Sequence, residues 1–229
     1  MKFNNIKHVY FDLDHTLWDF DKNSALTFDV IFKEENIGLE IQDFLEAYIP
    51  INIDYWARYR NNLVSKELLR VGRLRDSFDA LKIQISDESI DKLSNRYISV
   101  LPGFNHLLQD TKEILEYLKP KYKLHIITNG FEEIQHNKMQ NSQIADYFDT
   151  ITTSEEAGVK KPHLQIFAKA LLKSNAVPEN SVMIGDSYEA DIEGAKNAGL
   201  HAVYFDYYGK LETVQVPQIQ KLKELEMYL

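Results

Sequence analysis

The chain has 229 residues, of which 44% are hydrophobic, enough for one sizeable core and a smaller appended unit. Its formal net charge of -9 argues against a DNA or RNA polymer as partner, because basic surfaces bind phosphate backbones. The absence of cysteine excludes disulfides, thiolate metal ligands and a cysteine nucleophile. No apolar stretch is long enough to span a bilayer, so we expect a cytoplasmic protein with no membrane partner.

Four short segments are apolar on both faces and rich in β-branched or aromatic residues, as buried parallel strands are. They are Val9–Leu13, Leu124–Thr128, Val182–Ile184 and His201–Phe205. Helical patterns separate the last three segments. This alternation predicts an α/β fold with a doubly wound, Rossmann-like parallel sheet. We expect a surface helix over Gln218–Tyr228.

The interval from about Asn23 to Val100 contains no comparable strand and shows at least three amphipathic helical patterns. Ser65 and Ser86 are suited to cap two of these helices. We therefore predict a core domain of residues 1–17 and 101–229 and an inserted all-helical cap of residues 18–100. Ligands in open α/β sheets bind at the carboxyl edge of the strands, where such a cap would lie.

Two carboxylates, Asp12 and Asp14, lie at the carboxyl end of the first predicted strand. Paired carboxylates at such an edge repel each other unless a cation or a shared proton compensates them. A hard divalent cation such as Mg²⁺ would do so, since it prefers oxygen ligands. A solvated turn is the alternative interpretation of this pair taken by itself.

The second strand ends at Thr128, where a hydroxyl and the nearby Gly130 favour an oxyanion site, or a simple helix cap. Two adjacent lysines precede Pro162, and we choose Lys161 as the cation of the site because proline fixes the backbone beside it. Asp186 follows the third predicted strand and Asp191 lies near the start of the next helix. Either acid alone could be a helix cap or a first-turn acid.

In order and context, these four segments resemble the four motifs of the haloacid dehalogenase-like (HAD) superfamily, over essentially the whole chain. The helical insertion resembles the cap of the subgroup that includes phosphoglycolate phosphatases, β-phosphoglucomutases and pyrimidine 5'-nucleotidases. The runs at residues 11–18, 127–131 and 154–159 are similar to those of bacterial house-cleaning pyrimidine 5'-nucleotidases.

The resemblance implies a Mg²⁺-dependent phosphomonoesterase in which Asp12 attacks phosphorus and forms an aspartyl-phosphate. Asp14 would be the general acid and base. The side chains of Asp12 and Asp186, with the backbone carbonyl of Asp14, would hold the Mg²⁺. The supporting residues implied in the same way are Thr128, Asn129 and Lys161 for phosphate, Thr16 as a brace of the first loop, and Asp191 to orient Lys161 or a water at the metal.

The substrate implied is a small phosphorylated metabolite, with a pyrimidine nucleoside 5'-monophosphate as the first choice and a monomer or homodimer as the assembly. In the cap, Trp56 and Tyr59 are candidates for stacking on a base, and Arg70 and Arg73 for contacting a polar group. The alternative is that these aromatic residues are helix core and the arginines are solvated.

Several other activities stay open at this point. A sugar-phosphate or phosphoglycolate phosphatase and a phosphomutase would use the same acids. Dehalogenases of this superfamily generally lack the second acid, and phosphonate cleavage would need a cap lysine such as Lys66 or Lys82. A non-catalytic module that binds a phosphorylated ligand usually loses an acid or the lysine. A receiver domain carries its phosphoacceptor on a later strand and has no helical insertion of roughly eighty residues.

Overall fold

A computed structural model describes residues 2–209 and 214–229. The chain divides into two compact units, residues 1–20 with 105–229, and residues 21–104. Across the described ranges, no helix has the combination of length and apolarity that crossing a membrane requires.

The first unit contains a parallel sheet of six strands in the order β3-β2-β1-β4-β5-β6. Its strands are β1 (His8–Phe11), β2 (Lys123–Thr128), β3 (Thr150–Thr153), β4 (Ser181–Gly185), β5 (His201–Phe205) and β6 (Gln218–Ile219). All four residues of β1 are buried, which fits a central strand covered on both faces. This sheet with its flanking helices is the predicted α/β fold.

The helices come in two groups. The second unit consists of α1 (Phe20–Glu34), α2 (Ile41–Arg60), α3 (Lys66–Ala80) and α4 (Asp87–Val100), the first of which begins one residue earlier, in the first unit. The sheet is flanked by α5 (Thr111–Leu118), α6 (Glu132–Asn141), α7 (Ser154–Ala157), α8 (Leu164–Ser174) and α9 (Gly194–Asn197). A π-helical segment, Tyr188–Glu193, leads directly into α9.

Aromatic rings fill the interior of the helical unit. Phe28 packs against Phe44, Tyr48 and Tyr97, with ring centroids 4.7 to 4.8 Å apart. The two predicted caps are present: the Ser65 hydroxyl accepts a hydrogen bond from the Leu68 amide at 3.1 Å, and Ser86 accepts one from Ser89 at the same distance. These serines satisfy amides that the first turn of each helix leaves unpaired.

The C-terminal prediction of a surface helix over Gln218–Tyr228 is wrong. Gln218–Ile219 is a short strand, and Leu222–Met227 is a 3-10 helix whose Leu222 and Leu225 are buried. The amide of Tyr204 donates to the Pro217 carbonyl at 2.9 Å. The sheet therefore extends into a segment whose leucine spacing alone favours a helix.

Candidate active site

The site lies at the carboxyl end of the central strands. Asp12 follows β1 directly, Thr128 is the last residue of β2, and Asp186 follows β4 directly. Because β1 lies between β2 and β4, the three strand ends are neighbours. The Asp12 amide donates to the Ile184 carbonyl at 2.9 Å, which continues the sheet up to this residue.

Lys161 is buried among the acids and has three partners. Its ammonium donates to Asp12 Oδ1 at 2.7 Å and to the Ile127 carbonyl at 2.8 Å, and it lies 2.6 Å from Asp191 Oδ1. Burial alone would lower the pKa of Lys161, but the two carboxylates outweigh it and raise that pKa. This lysine is therefore a fixed positive charge beside Asp12.

Asn129 holds the backbone of Lys161 in place. Its side-chain oxygen accepts from the Lys161 amide at 2.8 Å, and its side-chain nitrogen donates to the Lys161 carbonyl at 3.0 Å. The side-chain amide is thus used within the protein, and the phosphate contact of Asn129 stays a prediction. The neighbouring Thr128 accepts from the Gly130 amide at 3.0 Å, which leaves its hydroxyl proton for an oxyanion.

Three acids form a cluster beside Lys161. Carboxylate oxygens of Asp12, Asp186 and Asp191 all lie within 4.8 Å of one another. Burial, only partly offset by Lys161, raises the pKa of Asp12 to about 8, and the other two acids add to the rise. Burial and the charge of Asp191 raise the pKa of Asp186 to about 7. The chain alone thus supplies too little positive charge for these carboxylates.

Two further contacts fix the acids. Asp186 Oδ1 accepts from the Thr16 hydroxyl at 3.2 Å, so Thr16 ties the loop after β1 to the end of β4. Asp191 Oδ2 accepts from the Ser187 amide at 3.0 Å. A β-carbon on Gly185 would lie 2.2 Å from Asp191 Oδ2, so the closeness of Asp191 to the strand depends on this glycine.

Asp14 is paired with a lysine that sequence reasoning missed. Lys138 of α6 is buried, and its ammonium donates to both carboxylate oxygens of Asp14, at 2.7 and 3.0 Å. The same ammonium lies 4.3 Å from the ring centroid of Trp18. The only sequence signal for this contact is a polar pair, Gln135 and Lys138, spaced three residues apart on a helix that follows a predicted site loop.

The side-chain amide of Gln135 lies beside Gly130, in the loop after β2, and makes no hydrogen bond with the described residues. Both polar atoms of its side chain are buried, and neither has a hydrogen-bond partner among the described residues. A β-carbon on Gly130 would lie 1.8 Å from Gln135 Nε2 and 3.2 Å from Asp14 Oδ2. Glycine at position 130 thus makes room for an amide and a carboxylate beside the end of β2, where a ligand could pair with the free amide.

These donors fit a divalent cation. The three clustered acids, Asp12, Asp186 and Asp191, face one buried ammonium group, that of Lys161, so their ionised forms leave two negative charges. One Mg²⁺ balances that charge, and carboxylate and carbonyl oxygens are the ligands it prefers. Asp191 Oδ1 lies 2.6 Å from the Lys161 ammonium and Asp191 Oδ2 accepts from the Ser187 amide, which favours Asp12 and Asp186 as the side-chain ligands.

The four cap candidates lie in the helical unit. Trp56 and Tyr59 are in edge-to-face contact, with centroids 5.7 Å apart. Arg70 donates to the side-chain oxygen of Asn95 at 2.9 Å. Arg73 is buried, donates to the side-chain oxygen of Asn52 at 2.8 Å, and lies over the rings of Tyr48 and Tyr97. Their contact with a substrate stays a prediction.

Comparison with known proteins decides the family. A model of the haloacid dehalogenase-like hydrolases matches residues 6–199. The chain belongs to the haloacid dehalogenase-like hydrolases. This membership confirms the predicted fold class, and together with relatives that are named pyrimidine 5'-nucleotidases it confirms the prediction of an HAD-type phosphatase.

Relatives within the family resemble the chain over most of its length. It is 29% identical to pyrimidine 5'-nucleotidase YjjG of Escherichia coli, with 96% of each chain covered. It is 32% identical to pyrimidine 5'-nucleotidase PynA of Streptococcus pneumoniae, over 87% of this chain and 84% of that one. The magnesium-bound crystal structure of the HAD-hydrolase YfnB from Bacillus subtilis matches with a TM-score of 0.88 at 24% identity, and 98% of each chain is covered.

Proposed function

We propose that this HAD enzyme is a Mg²⁺-dependent phosphomonoesterase that uses Asp12 as a covalent nucleophile on a pyrimidine nucleoside 5'-monophosphate. The observation that carries the proposal is the contact of Lys161, in the turn before α8, with Asp12 at the end of β1 and with Asp191 in the π-helical segment after β4. It places a fixed positive charge beside the carboxylate that would receive the phosphoryl group. A cytoplasmic location is part of the proposal.

In the first half of the reaction, a carboxylate oxygen of Asp12 bonds to phosphorus as the bond from phosphorus to the leaving oxygen breaks. Asp14, protonated at this stage, gives its proton to the leaving alkoxide, which departs as an alcohol. Lys161 and the Thr128 hydroxyl stabilise the charge on the other phosphoryl oxygens. These two groups are fixed before the reaction, so they need not reorganise during it.

In the second half, Asp14 is a carboxylate and takes a proton from water. The resulting hydroxide attacks phosphorus, the bond between phosphorus and the Asp12 oxygen breaks, and inorganic phosphate leaves. Asp14 has become protonated again, as the next cycle requires. Its side chain retains 19% exposure, whereas that of its partner Lys138 retains 1%, so the carboxylate is the member of the pair that substrate and water can reach.

Asp12, Asp186 and the Asp14 carbonyl would hold Mg²⁺. When bound, the ion would neutralise charge on the phosphoryl group and keep that group in place. The raised pKa values of Asp12 and Asp186 support this assignment, because a cation between these acids favours their ionised forms.

The substrate choice is supported by the relatives. Two of them, at 29% and 32% identity, are named pyrimidine 5'-nucleotidases. A rival choice also has support, since a glyceraldehyde 3-phosphate phosphatase of Pyrococcus furiosus is 30% identical over 96% of this chain and 94% of that one. We propose the helical unit as the cap that selects between such substrates, with Trp56 and Tyr59 stacking on a base and Arg70 and Arg73 meeting polar groups.

The test is phosphate release from UMP, CMP, dUMP, AMP, glyceraldehyde 3-phosphate and phosphoglycolate, each with Mg²⁺ and with a chelator. We expect turnover that requires Mg²⁺ and is highest on a pyrimidine monophosphate. Asp12→Asn should lower kcat by at least about 1,000-fold, since the change removes the nucleophile. The protein should stay folded, because Lys161 keeps Asp191 as a partner. Asp149→Asn is the matched control, because Asp149 pairs with Lys119 and Lys123 beyond the other end of β2.

The outcomes separate the alternatives. Highest turnover on glyceraldehyde 3-phosphate would replace the nucleotidase by a sugar-phosphate phosphatase with the same mechanism. Retained turnover in Asp12→Asn would contradict the nucleophile. If no substrate releases phosphate in the presence of Mg²⁺, the phosphomonoesterase itself is contradicted, and isomerised products would then indicate a phosphomutase.

A further inference from the structure

Lys138 is a buried charged group that contacts Asp14 and has no role in the mechanism above. It lies in α6, which begins two residues after Gly130, and it is 124 residues away in sequence from Asp14. Its side chain is 1% exposed. A fully buried ammonium needs a reason, because burying a charge costs free energy even when the charge is paired.

The geometry of the pair restricts Asp14. One ammonium meets both carboxylate oxygens, at 2.7 and 3.0 Å, and this double contact restricts the direction in which the carboxylate points. The ammonium cannot follow other orientations of Asp14, since it lies over Trp18 at 4.3 Å and near Phe20 at 5.5 Å. The Trp18 ring is itself held by a hydrogen bond from its Nε1 to the Ser142 hydroxyl at 3.0 Å.

A purely structural role explains this arrangement poorly. Apolar residues of similar volume generally stabilise a buried position at least as well as an ion pair does. The pair is also asymmetric, since the lysine is buried and the aspartate is partly exposed. The buried partner therefore holds a group that remains accessible to ligands.

We propose that Lys138 is the positioning residue for Asp14, and that it holds this carboxyl group toward the leaving oxygen of the substrate. The proposal rests on the proposed function, since it takes Asp14 as the general acid and base. Lys161 pairs with Asp12, the nucleophile, and Lys138 pairs with Asp14. Each of the two acids of the loop after β1 thus has its own lysine, one from the turn before α8 and one from α6.

The dependence of the rate on the leaving group tests the proposal. A nucleoside or sugar alkoxide needs a proton from the general acid, whereas p-nitrophenolate leaves without one. The quantity to compare is kcat/KM, because it reports the steps up to departure of the leaving group even when hydrolysis of the intermediate limits kcat. The substrates are p-nitrophenyl phosphate and the best alkyl phosphate of the panel above.

Lys138→Met keeps the length of the side chain and removes its charge. We expect kcat/KM to fall about 100-fold on the alkyl phosphate and less than about 5-fold on p-nitrophenyl phosphate. Asp14→Asn is the reference and should show the same selectivity with a larger loss on the alkyl phosphate. Lys112→Met is the matched control, because the Gln143 side chain, at 3.2 Å, is the contact that the Lys112 ammonium makes among the described residues. Both rates should stay within about 2-fold.

Lys138→Arg keeps a positive charge beside Asp14. It tests the positioning role even if Lys138→Met does not fold. Its larger guanidinium should displace the carboxylate, with a loss of about 10-fold on the alkyl phosphate and little change on p-nitrophenyl phosphate. Equal losses on the two substrates, in either lysine variant, would overturn the positioning role while leaving the phosphatase intact. Equal losses in Asp14→Asn would overturn the role of Asp14 itself and the proposal with it.

Discussion

Lys161 Nζ lies 2.7 Å from Asp12 Oδ1, although 149 residues separate the two in the sequence. The contact joins the loop after β1 to the turn before α8, and Asp191 lies 2.6 Å from the same ammonium. One buried positive charge therefore compensates two carboxylates. Both the stability of the fold and the charge of the site depend on it.

Lys161→Met should lower both the stability of the fold and the rate of the reaction. Removing one member of a buried ion pair leaves its partner uncompensated, and we expect a loss of about 3–5 kcal/mol in the free energy of unfolding. The kcat on the best substrate should fall at least about 100-fold, since a fixed charge beside the phosphoryl group is lost. Urea denaturation and steady-state rates measure the two effects. Lys160→Met, one residue earlier, should change stability by less than about 1 kcal/mol, and similar losses in both variants would contradict the assignment.

Mg²⁺ should stabilise the folded protein in the absence of any substrate. At about 100 times its Kd, a ligand specific for the native state adds about 2.7 kcal/mol, which corresponds to a rise in Tm of about 5–10 °C for a chain of this size. Asp186→Asn should abolish the rise, whereas Asp149→Asn, at the opposite end of the strands, should keep it. Differential scanning fluorimetry with and without Mg²⁺ measures this, and an unchanged Tm in the native protein would count against the metal site.

Gly185→Ala should damage the site through Asp191. The new methyl group would lie 2.2 to 2.6 Å from three atoms of that short side chain, which has few ways to move. We expect a loss of about 1–3 kcal/mol in stability, the usual cost of overpacking, and a drop of at least about 10-fold in kcat as Lys161 loses a partner. Gly103→Ala is the control, since a β-carbon there meets nothing within 4 Å. Native activity in Gly185→Ala would show that Asp191 has no part in the mechanism.

The part of this molecule that the sequence predicts well is the part that local patterns determine. Apolar runs followed by acids locate β1 and β4, and serines before amphipathic runs locate the starts of α3 and α4. The segment Thr150–Thr153 was missed as a strand, because three of its four residues are threonines and its state depends on pairing with β2.

In the site, too, the sequence predicts only the residues that a local pattern marks. Lys161 is suggested by its neighbour Pro162, so the sequence carries a signal for it. Lys138 has no such signal: its partner Asp14 is distant in sequence, and a lysine in a helix is solvated in most proteins. Only the position of α6 beside the loop after β1 brings Lys138 and Asp14 together.

A pair of buried histidines at the other end of the strands makes stability depend on pH. His8 Nδ1 lies 3.0 Å from His125 Nε2, and His125 Nδ1 lies 2.9 Å from the Thr150 hydroxyl. Burial and the neighbouring His8 lower the pKa of His125 to about 4 from the usual 6.5. Burial also lowers the pKa of His8. Asp149 opposes the shift of His125, whereas Lys119 and Lys123 add to it.

The folded state therefore prefers neutral His125. Above about pH 6.5 both states are neutral at this residue, so it makes no pH-dependent contribution. As pH falls from 6.5 toward 4, the unfolded chain binds a proton that the folded chain does not, and stability decreases by up to about 3 kcal/mol from this group. His125→Gln, which keeps polar atoms near His8 and Thr150, should flatten the curve over this range, whereas His136→Gln on the exposed side of α6 should not. Urea midpoints between pH 4 and 7.5 measure the difference, and parallel curves for native protein and His125→Gln would show that His125 titrates as it does in the unfolded chain.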